Sequence, residues 1–107
     1  MTTISPENDV VTLINVFSVA PEHQQRLVVL LIEATEAVMN RLPGFVSANI
    51  HKSLDGRNVA NYAQWRTRAD FEAMLRNPEA RVHMAEAAKL AGFQPQLYEV
   101  VYADAAR

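Results

Sequence analysis

The sequence predicts an α+β fold in which four antiparallel strands and their connecting helices follow the order βαββαβ. Three observations carry that expectation. Apolar residues alternate with period two near both ends of the chain. They recur at helical spacing between Pro21 and Arg41 and again between Thr67 and Ala91. Asp55-Gly56, the strongest short-range hairpin signal present, lies between two extended segments. Four antiparallel strands in this order, with the helices on one face, make a ferredoxin-like sandwich.

The first strand spans Val10 to Val19, a run rich in β-branched and aromatic residues in which Val11, Leu13, Phe17 and Val19 alternate with a less apolar set. Pro21 and Glu22 suit a first helical turn, where a missing N–H costs nothing and a carboxylate meets the positive end of the dipole. Leu27, Leu31, Ala34 and Val38 then recur at helical spacing. The run Leu27 to Ile32 alone also fits a buried strand, but Glu33 and Glu36 punctuate it, Arg41 sits in the last turn and Pro43-Gly44 ends the element. The second strand follows from Phe45 to Ser53 and the third from Val59 to Arg66.

A three-residue loop Leu54-Asp55-Gly56, with Gly56 left-handed, makes Ser53 face Arg57 and sets His51 opposite Val59 and diagonal to Asn61. A loop of two or four residues reverses the parity and puts His51 behind the sheet. Thr67 caps a helix that runs through Arg76, with Asp70 completing a capping box and Phe71, Met74 and Leu75 forming the apolar side. Asn77-Pro78 breaks that helix, a second stretch runs from Glu79 to Ala91 and stops at Gly92, and Leu97 to Tyr102 alternates as the fourth strand. Residues 10–102 thus form one domain, between a flexible N-terminal arm of residues 1–9 and a C-terminal tail of residues 103–107.

Composition narrows the function. Half of the 107 residues are hydrophobic and 21% are charged, the proportions of a soluble globular domain. Ten basic and twelve acidic residues, with no Lys or Arg run, argue against nucleic acid as a partner. The absence of cysteine excludes disulfides, thiolate metal sites and cysteine nucleophiles. No signal-peptide pattern and no apolar stretch of spanning length occurs, so the reading is a cytoplasmic protein without a membrane partner. The three histidines lie on separate elements without ligand spacing, so no metal is expected. Gly44, Gly56 and Gly92 build no phosphate-cradling loop, so neither a flavin nor a nicotinamide is expected.

The informative segment is Asn61-Tyr62-Ala63-Gln64-Trp65. On a strand, Asn61 and Trp65 share a face while Tyr62 and Gln64 point to the other. Asn15, the polar member of an apolar face of the first strand, is a candidate for the same pocket. Both faces of that strand carry apolar residues, Val10, Ile14 and Val16 on one and Leu13, Phe17 and Val19 on the other, so the face without helices is expected to meet a second copy in a two-fold homodimer.

Pro43-Gly44-Phe45, Ser47-Ala48, His51, Ser53, Asp55-Gly56 and Asn61-Tyr62-Ala63-Gln64-Trp65 together resemble the antibiotic biosynthesis monooxygenase domain family, and within it the cofactor-independent anthrone monooxygenases of aromatic polyketide pathways. The likeness extends over about residues 10–102, and its specific matches lie between Pro43 and Trp65. It implies a dimer of ferredoxin-like subunits forming an α+β barrel, with a pocket between each sheet and its helices. It also implies oxidation of an electron-rich polycyclic phenol, anthrone or quinol to a quinone by O2 without a cofactor. Asn61 and Trp65 match positions implicated in binding and oxygenation, and His51 matches a histidine suited to accept a proton. Asn15, Phe71, His83 and Met84 complete the expected substrate-binding set. Phe71 replaces a helical Tyr of a close relative, and Met84, with His83 beside it, stands near the place of an Arg. Two other readings remain open at this point: a binding or dimerisation module of the same fold without catalysis, and haem degradation. For the latter, Asn15 and His83 supply two of the family's residues, but Met74 stands where a helical Trp is needed.

Overall fold

In the computed structural model, which describes Met1–Arg107, the strands β1 (Val11–Val19), β2 (Phe45–Lys52), β3 (Asn58–Trp65) and β4 (Ala91–Tyr98) form one antiparallel sheet in the order β2-β3-β1-β4. Helices α1 (Gln24–Ala37), α2 (Arg68–Arg76) and α3 (Pro78–Ala88) connect them. This is the ferredoxin-like arrangement expected from the sequence. Alternation puts Leu13, Phe17 and Val19 of β1 and Val59, Ala63 and Trp65 of β3 into the core, where all six are buried.

The core has two parts. Leu13, Ala63 and Trp65 pack with Val38, Phe71, Met74 and Ala80. Phe17, Val19 and Val59 pack with Leu27 and Ala87. Between them, on the same face of the sheet, Asn15 of β1 stands directly opposite Asn61 of β3. A pair of carboxamides thus interrupts what would otherwise be one continuous apolar layer.

Local chemistry explains how the elements around this point are held. The Thr67 hydroxyl accepts from the Asp70 N–H at 3.0 Å and donates to the Asp70 carboxylate at 3.0 Å, closing the capping box at the start of α2. Gly44, at φ +83°, turns the chain into β2, and a Cβ there would lie 2.3 Å from the Asp70 carboxyl group. The Arg66 N–H donates to the Gly44 carbonyl at 2.8 Å, so this turn clamps the end of β3 that carries Trp65.

Three features depart from the sequence reading. The β2–β3 loop has four residues, Leu54 to Arg57: Ser53 N–H donates to Asn58 O at 2.9 Å, and β2 carries a bulge at Val46, between the pairs Phe45–Trp65 and Ser47–Gln64. The loop is extended to Arg57 because the Asp55 carboxylate accepts from both the Ser53 hydroxyl at 2.6 Å and the Arg57 N–H at 3.0 Å, and these two bonds hold its pKa below the ordinary Asp value. The fourth strand starts at Ala91 and ends at Tyr98, instead of running from Leu97 to Tyr102, and α3 stops at Ala88. Pro95 disguises that strand in the sequence. β4 is an edge strand, however, where a proline is tolerated.

The third departure is the N-terminal arm, which lies against the sheet face turned away from the helices. Gln64 Nε2 donates to Thr3 O at 2.7 Å, and Asn49 Nδ2 donates to the Thr2 hydroxyl. Gln64 is buried there and also accepts from Ser47 Oγ at 3.1 Å. No helix is long and apolar enough to cross a membrane.

Candidate functional site

A cavity of about 90 Å³ opens between sheet and helices at the carboxamide pair. Its floor is Leu13, Asn15, Asn61, Ala63 and Trp65. Leu31 and Thr35 of α1, one helical turn apart, form the roof with Met39, and Met74 and Met84 come from α2 and α3. An adjoining lobe of about 60 Å³ shares Asn15, Phe17, Leu31, Met39 and Met84 with it and adds Ala34, His83, Ala87 and Phe93. The two lobes adjoin as one slot, and three flexible side chains, Leu31, Met39 and Met84, line both.

The polar groups of this slot are few, and two of them lack partners. The Oδ1 atoms of Asn15 and Asn61 are buried and accept no hydrogen bond. A buried polar atom without a partner costs about 1–3 kcal/mol, and here the two residues that carry such atoms stand directly opposite on neighbouring strands. Register explains their proximity: residues directly opposite on an antiparallel pair have Cβ atoms about 4.5–5.5 Å apart. A carboxamide offers two N–H donors and a carbonyl acceptor, and which end it presents depends on a half-turn of the group. The pair can therefore grip a ligand oxygen from two sides.

Trp65 is 2% exposed and forms the wall at the inner end. Phe45 meets it edge-on at 5.6 Å between ring centroids, and Phe71 meets it at 6.4 Å and 70°. Two aromatic neighbours thus fix the indole plane, as edge-to-face geometry favours. Phe71, expected among the substrate-binding residues, does not line the cavity: it stands behind Trp65 in the core and borders a separate open groove between α2 and β4.

His51 requires a correction. With the four-residue loop it pairs with Ala60, one position out of phase with Asn61, and is exposed on the opposite face of the sheet. Its Nδ1 lies 3.1 Å from the Asn49 carbonyl, and its neighbours there are Thr2, Ile4, Asn49 and Tyr62. It cannot meet a ligand bound at Asn61 of the same chain. Asn15, His83 and Met84 do line the slot with Asn61 and Trp65. Sequence reasoning missed Leu31, Thr35, Met39, Met74 and Phe93, and only Thr35 carried a visible signal, a hydroxyl on the apolar side of α1. That hydroxyl donates to Leu31 O at 2.9 Å and so satisfies itself within the helix. Nowhere do three His, Asp or Glu side chains converge as a metal ligand set would.

The family model for antibiotic biosynthesis monooxygenase matches residues 10–86. A tetracenomycin-F1 monooxygenase from Streptomyces glaucescens is 46% identical over 102 residues, covering 95% of this chain and 91% of the relative. Among solved structures, the monooxygenase from the gene ActVA-Orf6 of Streptomyces coelicolor, in complex with nanaomycin D, superposes with a TM-score of 0.81 at 25% identity, covering 92% of this chain and 93% of the other. SnoaB, a cofactor-independent oxygenase from Streptomyces nogalater, superposes with a TM-score of 0.75 at 25% identity over 90% of this chain and 97% of its own.

Proposed function

The chain belongs to the antibiotic biosynthesis monooxygenase family and is a monooxygenase, and from this and the slot we propose that it oxidises an electron-rich polycyclic phenol, anthrone or quinol to a quinone, with O2 and no cofactor. The observation that carries the reading is the Asn15–Asn61 pair, two half-buried carboxamides whose carbonyl oxygens are buried and have no partner in an otherwise apolar slot. Folding alone has no use for that pair, because two apolar residues would join the halves of the core at lower cost. A ligand oxygen gives it a use.

The chemistry follows from the substrate. Dioxygen is a triplet and reacts slowly with closed-shell molecules, so without flavin or metal the electron must come from an ionised substrate. Asn61, with Asn15 opposite, donates N–H to the oxygen on which the negative charge gathers as the anthrone becomes its enolate. Donors preorganised in a dry site stabilise such charge far better than water does. Trp65, held by Phe45 and Phe71, gives a flat wall for the ring system, and the apolar lining keeps water from the peroxide that follows.

Lobes of about 60 and 90 Å³ are smaller than the clefts of about 300–1,000 Å³ that usually hold drug-sized ligands. A three-ring substrate therefore enters as Met39 and Met84 swing aside and the lobes merge, a movement suited to unbranched thioether side chains. The face away from the helices exposes Val16 at 41% and Tyr98 at 48%, and it suits a second copy in a homodimer, testable by sedimentation. The function itself is tested by incubation with anthrone under 18O2. One labelled oxygen atom in the quinone, formed faster than without protein, supports the reading; a product without label, or formed at the spontaneous rate, contradicts it.

A further inference from the structure

Conversion of a ring CH2 to a carbonyl by O2 begins and ends with proton transfers, and neither carboxamides nor an indole accept protons near neutral pH. We infer that His83 is the group that moves them, an assignment that rests on the function proposed above. His83 is the only ionisable side chain lining either lobe; the other lining residues are Asn, Thr, Trp, Met, Phe, Leu and Ala. It stands half-buried on α3 and shares the outer lobe with Asn15, so a ligand oxygen gripped at the carboxamides leaves the adjoining ring within that lobe, beside the imidazole.

Residues that join His83 in the lobe come from β1, α1, the turn after α1, α3 and β4, and none carries a charge. On its own helix, Glu79 four residues before it and Glu86 three after lie on the same side of α3, and Arg81, two residues before it, does not share that side. Arg68, Asp70, Glu72 and Arg76 of α2, which also packs on α3, stay outside both lobes.

The transfers balance as follows. The neutral imidazole takes a proton from the ring CH2, and the C–H electron pair stays on the substrate as the enolate. The enolate passes one electron to O2, and recombination of the radical with superoxide forms a C–O bond, giving a peroxide anion that His83-H⁺ protonates. The neutral imidazole then removes the remaining proton from the same carbon as the O–O bond breaks. The carbonyl forms, hydroxide leaves, and His83-H⁺ converts it to water. One O2 is consumed, one oxygen atom enters the product and one leaves as water.

The test is the pH–rate profile of anthrone oxidation for the wild-type chain, His83→Gln and His83→Ala. Near neutral pH, kcat should fall by about 10²–10⁴-fold in both variants, the usual range for a lost general base, with a much smaller change in KM. The deficit should shrink as rising pH ionises the anthrone in solution, and added imidazole should restore part of the alanine variant's rate. A His83→Gln variant with wild-type kcat and profile overturns the assignment while leaving the proposed function intact. So does a loss that neither pH nor imidazole relieves, including one that tracks lost thermal stability. A wild-type chain that fails to accelerate anthrone oxidation overturns both.

Discussion

Replacing Asn61 by alanine is expected to lower oxygenation while leaving the fold as stable as before, or more so. The opposition follows from the buried, unpartnered Oδ1 of Asn61 in the unliganded chain. Deleting a buried polar group without a partner relieves about 1–3 kcal/mol. Against that stands the packing lost with three side-chain atoms, and this is small because they border a cavity of about 90 Å³ already. The net change lies between about zero and 2 kcal/mol in favour of the variant, which at about 4 °C per kcal/mol for a domain of this size puts Tm level or up to about 8 °C higher. Removing one preorganised donor from an anionic transition state costs about 10²–10³-fold in kcat. Thermal unfolding by circular dichroism and oxygen uptake with anthrone, on the same preparation, read both quantities. A Tm that falls in step with activity would refute the reasoning and make Asn61 a structural residue.

Four further outcomes are expected. Trp65→Phe keeps an aromatic wall between Phe45 and Phe71 and should reduce kcat/KM while the protein stays folded, whereas Trp65→Ala, at a position 2% exposed, should cost about 3–5 kcal/mol in urea unfolding. Gly44→Ala places a Cβ 2.3 Å from the Asp70 carboxyl at φ +83° and should lower Tm by well over 4 °C, undoing both the turn and the cap of α2. His51→Gln should leave the pH–rate profile unchanged, because His51 is on the other face of the sheet; a displaced profile would contradict the four-residue loop. Asp55, held below its ordinary pKa by Ser53 and then the Arg57 N–H, stabilises the hairpin fully above the unfolded value of about 3.9 and less as pH falls through the lower folded value. Acid titration by NMR should show its carboxyl protonating later than a model Asp, and Ser53→Ala should erase most of that difference.

What was legible in the sequence is what short-range chemistry decides. The Thr67–Asp70 cap, the break at Asn77-Pro78 and the alternation of β1 are each written in a few adjacent residues, and the βαββαβ order follows from them, whereas the first helix ends at Ala37, short of the expected stop at Pro43-Gly44. Asn61 and Trp65 could be set on one face because the period of a strand is two. His51 was misplaced because its parity depends on distant partners. The loop end that sets it is held by Gln24 of α1, whose Nε2 donates to Ser53 O at 3.1 Å and Asn58 O at 2.9 Å. Pro95 concealed β4 because only the sheet order reveals that this strand is an edge. Most of the slot lining was hidden for a different reason: Leu31, Met39 and Met74 look like core residues, and nothing local marks the gap they surround.

The most direct test of the central claim is oxygen uptake by protein stripped of metal and free of flavin, given anthrone, against the spontaneous rate of the same solution. Uptake well above background, with quinone as the product and unaffected by chelator, is the predicted result. Uptake at background that returns only when a metal ion or flavin is added would contradict the account.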